Sequence, residues 1–225
     1  MMRALFESSF YVIYLVFILG LGIYFIKQSL NSNKRYYILF GLACLILGIG
    51  DAFHLVPRAV GLFNKTLDNP SVTLAMWLGI GKLITSVTMT IFYVLVYLFI
   101  FKRIGIKRYI YLDIIVCVLF ISRIVLLALP QNDWINNSND MLWGIYRNIP
   151  FVLLGILVIV LCFIYFSKIK CLRLLGYLII LSFLFYLPVV IFAGTYSWVG
   201  MLMLPKTICY MVVGVIGYLD YKSEY

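Results

Sequence analysis

Seven apolar runs divide this chain, each long enough, or nearly so, to cross a hydrocarbon core of about 20 helical residues, and no other feature constrains the fold as much. They fall near Phe10–Ile26, Tyr36–Leu55, Val72–Ile100, Tyr109–Leu129, Ile149–Phe166, Leu172–Ala193 and Ser197–Leu219. Lipid offers a bare backbone no hydrogen bonds, so runs of this kind must be helices. The expected fold is therefore all-α: a polytopic membrane protein with one seven-helix transmembrane domain over residues 1–225. The third run exceeds a simple span, so it tilts or projects beyond the bilayer. Only 12% of residues are charged, against about a quarter in soluble domains. A chain this apolar cannot dress its surface for water.

The gaps between runs alternate in charge. Gaps one, three and five hold ten basic residues (Lys27, Lys34, Arg35, Lys102, Arg103, Lys107, Arg108, Lys168, Lys170 and Arg173) and no acid. Gap two holds Arg58, Lys65 and Asp68, gap four holds Asp133, Asp140 and Arg147, and gap six holds no charge. Basic loops stay in the cytoplasm, which places the N-terminus outside and the C-terminus inside a plasma (cytoplasmic) membrane. The net charge of +10 thus encodes topology, and nucleic acid is excluded as a partner. The first run has its positive residues after it and no small-residue cleavage site, so it reads as a retained helix.

One histidine and no CxxC leave no metal site to expect, and no cofactor. Four of the five cysteines lie in apolar runs and Cys171 lies in a basic gap, so no structural disulfide is expected. The paired glycines at 20/22, 48/50, 79/81 and 214/217 suit close helix packing. Trp77, Trp134, Trp143 and Trp198 fall near expected outer ends, as in an interfacial belt.

The informative residues are the charges inside the runs, since each costs about 2.5–3.5 kcal/mol at mid-bilayer and is retained for a reason. Given the topology, Asp51 and His54 (run two), Lys82 (run three), Arg123 (run four) and Lys206 (run seven) lie at similar depth in the outer half, with Arg58 at the mouth beyond run two and Arg147 and Asn148 where helix five begins, just before run five. Asp51, His54 and Arg58 share one helix face at i, i+3, i+7. Lys82, Thr85, Ser86 and Tyr93 form a stripe. Lys206 pairs with Tyr210, and Ser182 with Tyr186, at one-turn spacing. The inner halves are nearly free of charge, apart from Asp113 and Asp220 at helix ends.

These positions predict a polar cavity lined by helices two, three and seven, with four, five and six contributing. Asp51 faces three deep cations, Lys82, Lys206 and Arg123, so two positive charges are left over. Buried surplus charge is unstable unless something compensates it. The expected ligand is an anionic small molecule or lipid headgroup, held by Lys82, Lys206, Arg123, Arg58, Arg147, Asn148, Tyr186 and Tyr210. Each residue also has a plain structural role open to it. Arg123 would snorkel, Arg58 and Arg147 would sit at the interface, Asp51 would pair with a lysine, and His54 would be a satisfied core imidazole. Pro57, Pro188 and Pro205 are candidate kinks.

Lys206 in the seventh run, with Tyr186 and Pro188 in the sixth, resembles the microbial rhodopsins, where a seventh-helix lysine binds retinal. Lys82 stands where that family carries acidic counter-ions, so retinal is not expected. Seven helices with an outside N-terminus are similar to SWEET-type sugar transporters, but the first run lacks their proline. A single histidine excludes the three-histidine zinc site of the ceramidase and adiponectin-receptor group, and neither DRY nor NPxxY is present. Segment Gly50–Arg58, GDAFHLVPR, has the look of a family signature without a function attached. Three functions stay open: an anion-binding protein, with transport as its extension; a membrane enzyme on a lipid or lipid-linked substrate, with Asp51 and His54 as acid/base pair; and a sensor or accessory subunit, as a homo-oligomer or in a complex.

Overall fold

The computed structural model describes residues 2–67, 69–137, 140–192 and 196–223. Asp68 and Ala193, the latter the last residue of the sixth expected span, lie outside them. Seven α-helices follow one another: α1 (Met2–Leu30), α2 (Tyr37–Phe63), α3 (Val72–Ile104), α4 (Ile110–Ala128), α5 (Met141–Tyr165), α6 (Cys171–Phe192) and α7 (Met203–Ser223). Short 3-10 segments at Pro130–Asn132 and Ser197–Leu202 precede α5 and α7. All seven helices are long and apolar enough to cross a membrane, and the fold is an all-α bundle. Its surface agrees: Val12, Ile13, Val16 and Ile23 on α1, and Ile114, Val118, Ile121 and Val125 on α4, are exposed. Water penalises apolar stripes of that extent, and lipid accepts them.

Sequential helices pack against each other, α3 also reaches α5, and α7 closes the ring on α1 and α2. The N-terminus of α1 and loops two, four and six therefore share one end of the bundle, here called the even-loop end. Helix ends carry local causes. Ser71 Oγ accepts the Leu74 N–H at the start of α3, and Gly105 stops α3 in a left-handed turn (φ 76°). Asp140 Oδ1 accepts the N–H groups of Leu142 (2.8 Å) and Trp143 (3.3 Å) at the start of α5.

Three boundaries differ from the sequence reading in ways that matter. Helix α1 begins at Met2 rather than Phe10, which places Glu7 inside the helix and 1% exposed. Helix α2 continues through Pro57 to Phe63, carrying Arg58 with it, and α5 begins at Met141, well before Ile149. Pro205 is not a kink. It sits in the first turn of α7, where the missing N–H has no helical acceptor to lose. Pro150, inside α5, is the interior proline the sequence reading passed over.

The opposite end is closed. Asp220 of α7 accepts Arg103 Nε at 3.0 Å and the Tyr37 hydroxyl. Phe25, Phe40, Phe99 and Tyr221 pack around Tyr37, and Lys34 Nζ donates to the Tyr221 carbonyl at 3.0 Å. Asp113 accepts Tyr97 at 2.7 Å and pairs with Arg108 at 3.4 Å. Both acids left outside the expected cavity are thus committed to structure.

Candidate functional site, a cationic cavity

Helix α2 reaches its neighbour because Gly81 on α3 has no side chain: a Cβ there would strike the Phe53 carbonyl and the His54 Cα. Pro57 has deprived that carbonyl of its helical N–H donor, four residues on. The close approach sets His54 beside Lys82, one residue past the glycine. Gly79 does the same for loop four, whose Trp134 carbonyl occupies the space of the missing Cβ.

Between these elements lies a cavity of about 490 Å³ at the even-loop end, walled by α2 through α7. His54, Arg58, Lys82, Arg123, Arg147, Asn148, Tyr186 and Lys206 all line it. Ser86 and Thr85 add hydroxyls to the α3 wall. Five cations thus surround one void, and Asp140 is the only acid lining it among the described residues.

The cations differ in how far they are committed. Arg58 turns to α1, donating from Nε to the Tyr11 hydroxyl (2.9 Å) and from Nη2 to Glu7 (3.3 Å). Tyr11 in turn donates to Glu7 at 2.8 Å. Arg147 donates from Nη1 to Asn132 Oδ1 at 3.0 Å and lies 4.6 Å over the Trp134 ring. Asn132 and Trp134 in turn cap the end of α4, donating to the carbonyls of Leu126 (2.8 Å) and Leu127 (2.9 Å). Both rim arginines therefore brace loops and helices.

Arg123 is different. It is 1% exposed, one of only three buried residues on a lipid-facing helix, and it points inward. Its Nε and Nη1 have no hydrogen-bond partner among the described residues, and its guanidinium lies 5.4 Å from the Phe151 ring. Snorkelling to the headgroups is thereby corrected: the side chain faces the cavity. Lys206 is also buried, with Nζ 4.4 Å from the centroid of Tyr186 and 5.8 Å from that of Tyr210. Asn148 orients the floor between them. Its Oδ1 accepts the Tyr186 hydroxyl at 2.6 Å, and its Nδ2 donates to the Gly144 carbonyl at 2.7 Å.

Two expected members lie elsewhere. Asp51 is not among the residues lining the cavity; it accepts the Tyr14 hydroxyl of α1 at 2.6 Å and attracts Lys206 electrostatically from behind the wall, in keeping with the expected pairing to a lysine. Tyr210 sits one turn deeper than Lys206, beneath the cavity, and meets Tyr93 (3.1 Å) and Ser182 (3.2 Å) in the core. Helix α1 is the common reason for the first correction. Its run carries no charge between Phe10 and Ile26, so sequence alone did not offer Tyr14 as a partner. Glu7, the counter-ion of Arg58, was missed because it precedes the apolar run; an acid seven residues from Tyr14 on the same helix was the available signal. Asn132 and Trp134 carried no signal beyond loop composition.

A second hollow, about 460 Å³, runs along the lipid-facing side of α2 and α3 past Phe53, Val56, Pro57 and Trp77. It has no polar lining residue and offers no chemistry. Comparison with protein-family models, curated proteins and solved structures gave no match. Fold and site together define a class: a multi-pass, seven-helix membrane protein with a cation-lined cavity at one end of its bundle.

Proposed function

We propose that this protein binds an anionic group, of a small solute or a lipid, in the cavity at the even-loop end. The observation that carries the reading is Arg123: a buried guanidinium with two nitrogens unpartnered among the described residues, facing a void shared with Lys82 and Lys206. A buried cation short of acceptors is costly, and a guanidinium does not escape by losing its proton. An oxyanion supplies the missing acceptors and the missing charge together, through charge-assisted hydrogen bonds. Lys82 and Lys206 add attraction, and Tyr186, oriented by Asn148, presents a ring face and hydroxyl beside them.

The charge pattern of the loops supports a cytoplasmic membrane with the cavity opening outward. Single cysteines introduced at Asn136 and at Lys107 test this: a membrane-impermeant maleimide labels the first on intact cells and the second only after lysis. The closed opposite end, with its Arg103–Asp220 pair and aromatic packing, favours binding over a continuous transport path. Binding is also preferred to the acid/base alternative, since Asp51 is hydrogen-bonded to Tyr14 and is not among the residues that line the cavity with His54.

The test is thermal protection of the purified chain in phosphatidylcholine nanodiscs by phosphate, sulfate and acetate. A ligand at 100 times its Kd stabilises by about 2.7 kcal/mol. At least one anion raises the unfolding midpoint of the parent protein and fails to do so for Arg123→Met. Indifference of the parent protein to every anion, including anionic lipid, removes the reading.

A further inference from the structure

We infer that the anion is the head of an amphiphile, bound head-down with its apolar body toward the cavity mouth. This rests on the anion reading and narrows it to a ligand class.

The cavity lining is ordered by depth. Helices α3, α5 and α7 enter the cavity from the mouth, and α4 and α6 leave toward it, so residue number gives depth on each. Lys82 is one turn below Leu78 on α3, and Lys206 is three residues below Met203 on α7. Asn148 is seven residues below Met141 on α5, about 10 Å at 1.5 Å per residue. On α6 the order reverses with direction: Tyr186 is deep, and Val189, Val190 and Ile191 lie above it. The Arg123 guanidinium, with Nε and Nη1 unpartnered among the described residues and Tyr186 beside it, belongs to the deep tier. Among the described residues the upper tier is largely apolar, and the two arginines whose side chains reach it, Arg58 and Arg147 (the latter rising from beside Asn148 to loop four), already have partners in Glu7, Tyr11, Asn132 and Trp134. The acid at the mouth, Asp140, repels an anion that would stop there.

A small hydrated anion gains nothing from that apolar tier and loses its water in passing it. A carboxylate or phosphate ester with a short hydrocarbon body satisfies both tiers: the head reaches Arg123 and the body covers the aliphatic wall. The depth of about 10 Å suits a medium alkyl chain. Each methylene buried there contributes roughly fourfold in affinity.

The experiment compares octanoate, acetate and octanol as thermal stabilisers of the full chain in phosphatidylcholine nanodiscs, with a parallel sample containing phosphatidylglycerol. Octanoate is expected to act at a concentration more than tenfold below acetate, with octanol inactive. Ile191→Ser, at the mouth, weakens octanoate and leaves acetate unchanged, whereas Arg123→Met abolishes both. A gain from octanoate, with or without phosphatidylglycerol, supports the inference; stabilisation by phosphatidylglycerol with no further gain from octanoate overturns the head-down pose, since a bilayer lipid keeps its head at the interface and its chains below. Equal potency of acetate and octanoate overturns the amphiphile and leaves anion binding standing. Octanol as potent as octanoate, or no response to any probe, overturns both.

Discussion

Replacing Arg123 with methionine should make the empty protein more stable, because the buried guanidinium is retained at a cost. The side chain is 1% exposed, and Nε and Nη1 find no acceptor among the described residues. Each buried donor left unmade costs about 1–3 kcal/mol, and a charged one costs more. Against this stands the contact with the Phe151 ring, at 5.4 Å, worth about 0.5–1 kcal/mol. Methionine keeps most of the stem's packing and removes the charge. The balance favours the variant by about 2 kcal/mol. For a chain of this size that is roughly 4–8 °C in midpoint. The assay is thermal unfolding in phosphatidylcholine nanodiscs without added anion, followed by intrinsic fluorescence. The same variant loses any anion-dependent rise, so the two proteins cross as ligand is added. A variant several degrees less stable than its parent in the absence of ligand would refute the reasoning, since Arg123 would then be a structural tie between α4 and the bundle.

Three further outcomes follow from the packing. Gly81→Val drives a side chain into the Phe53 carbonyl and the His54 Cα, and should cost about 1–3 kcal/mol or prevent accumulation of folded protein; Gly20→Val, with open space around it, is the control and should fold normally. Tyr14→Phe leaves the Asp51 carboxylate without its 2.6 Å donor and should lower stability by about 1–3 kcal/mol, measured as a midpoint shift, without changing anion protection. Arg103→Met strips the cationic partner of a buried Asp220, leaving it the Tyr37 hydroxyl alone among the contacts named above, and should cost about 3–5 kcal/mol; the double change Arg103→Met with Asp220→Leu should recover much of that loss.

The seven helices were legible because lipid writes its constraint in long apolar runs, and chain order gives the helix order directly. Lys82, Arg123 and Lys206 could be singled out because a charge within such a run is expensive enough to be a signal by itself. Their arrangement around one void depends on side-chain direction, which periodicity along one helix does not give when three or more helices converge. Asp51 shows the limit: its spacing to His54 and Arg58 is right for one face, yet its partner is Tyr14 on α1, a helix with no charge to advertise contact. Glu7 and Met141 show another, since helices extend past the apolar runs that define them through turns that carry polar residues, Glu7, Ser8 and Ser9 in α1 and Arg147 and Asn148 in α5. The bracing of Arg147 by Asn132 and Trp134 lies in a loop, where pattern reading has no period to use.

If the Arg123 guanidinium is the acceptor-seeking centre of an anion site, a heavy anion should find it. The most direct measurement is anomalous diffraction from crystals of the protein grown with iodide. Density for iodide against Arg123, between Lys82 and Lys206, is the predicted result. Iodide found only on the basic loops at the opposite end, with the cavity filled by neutral density or by side chains, would contradict it.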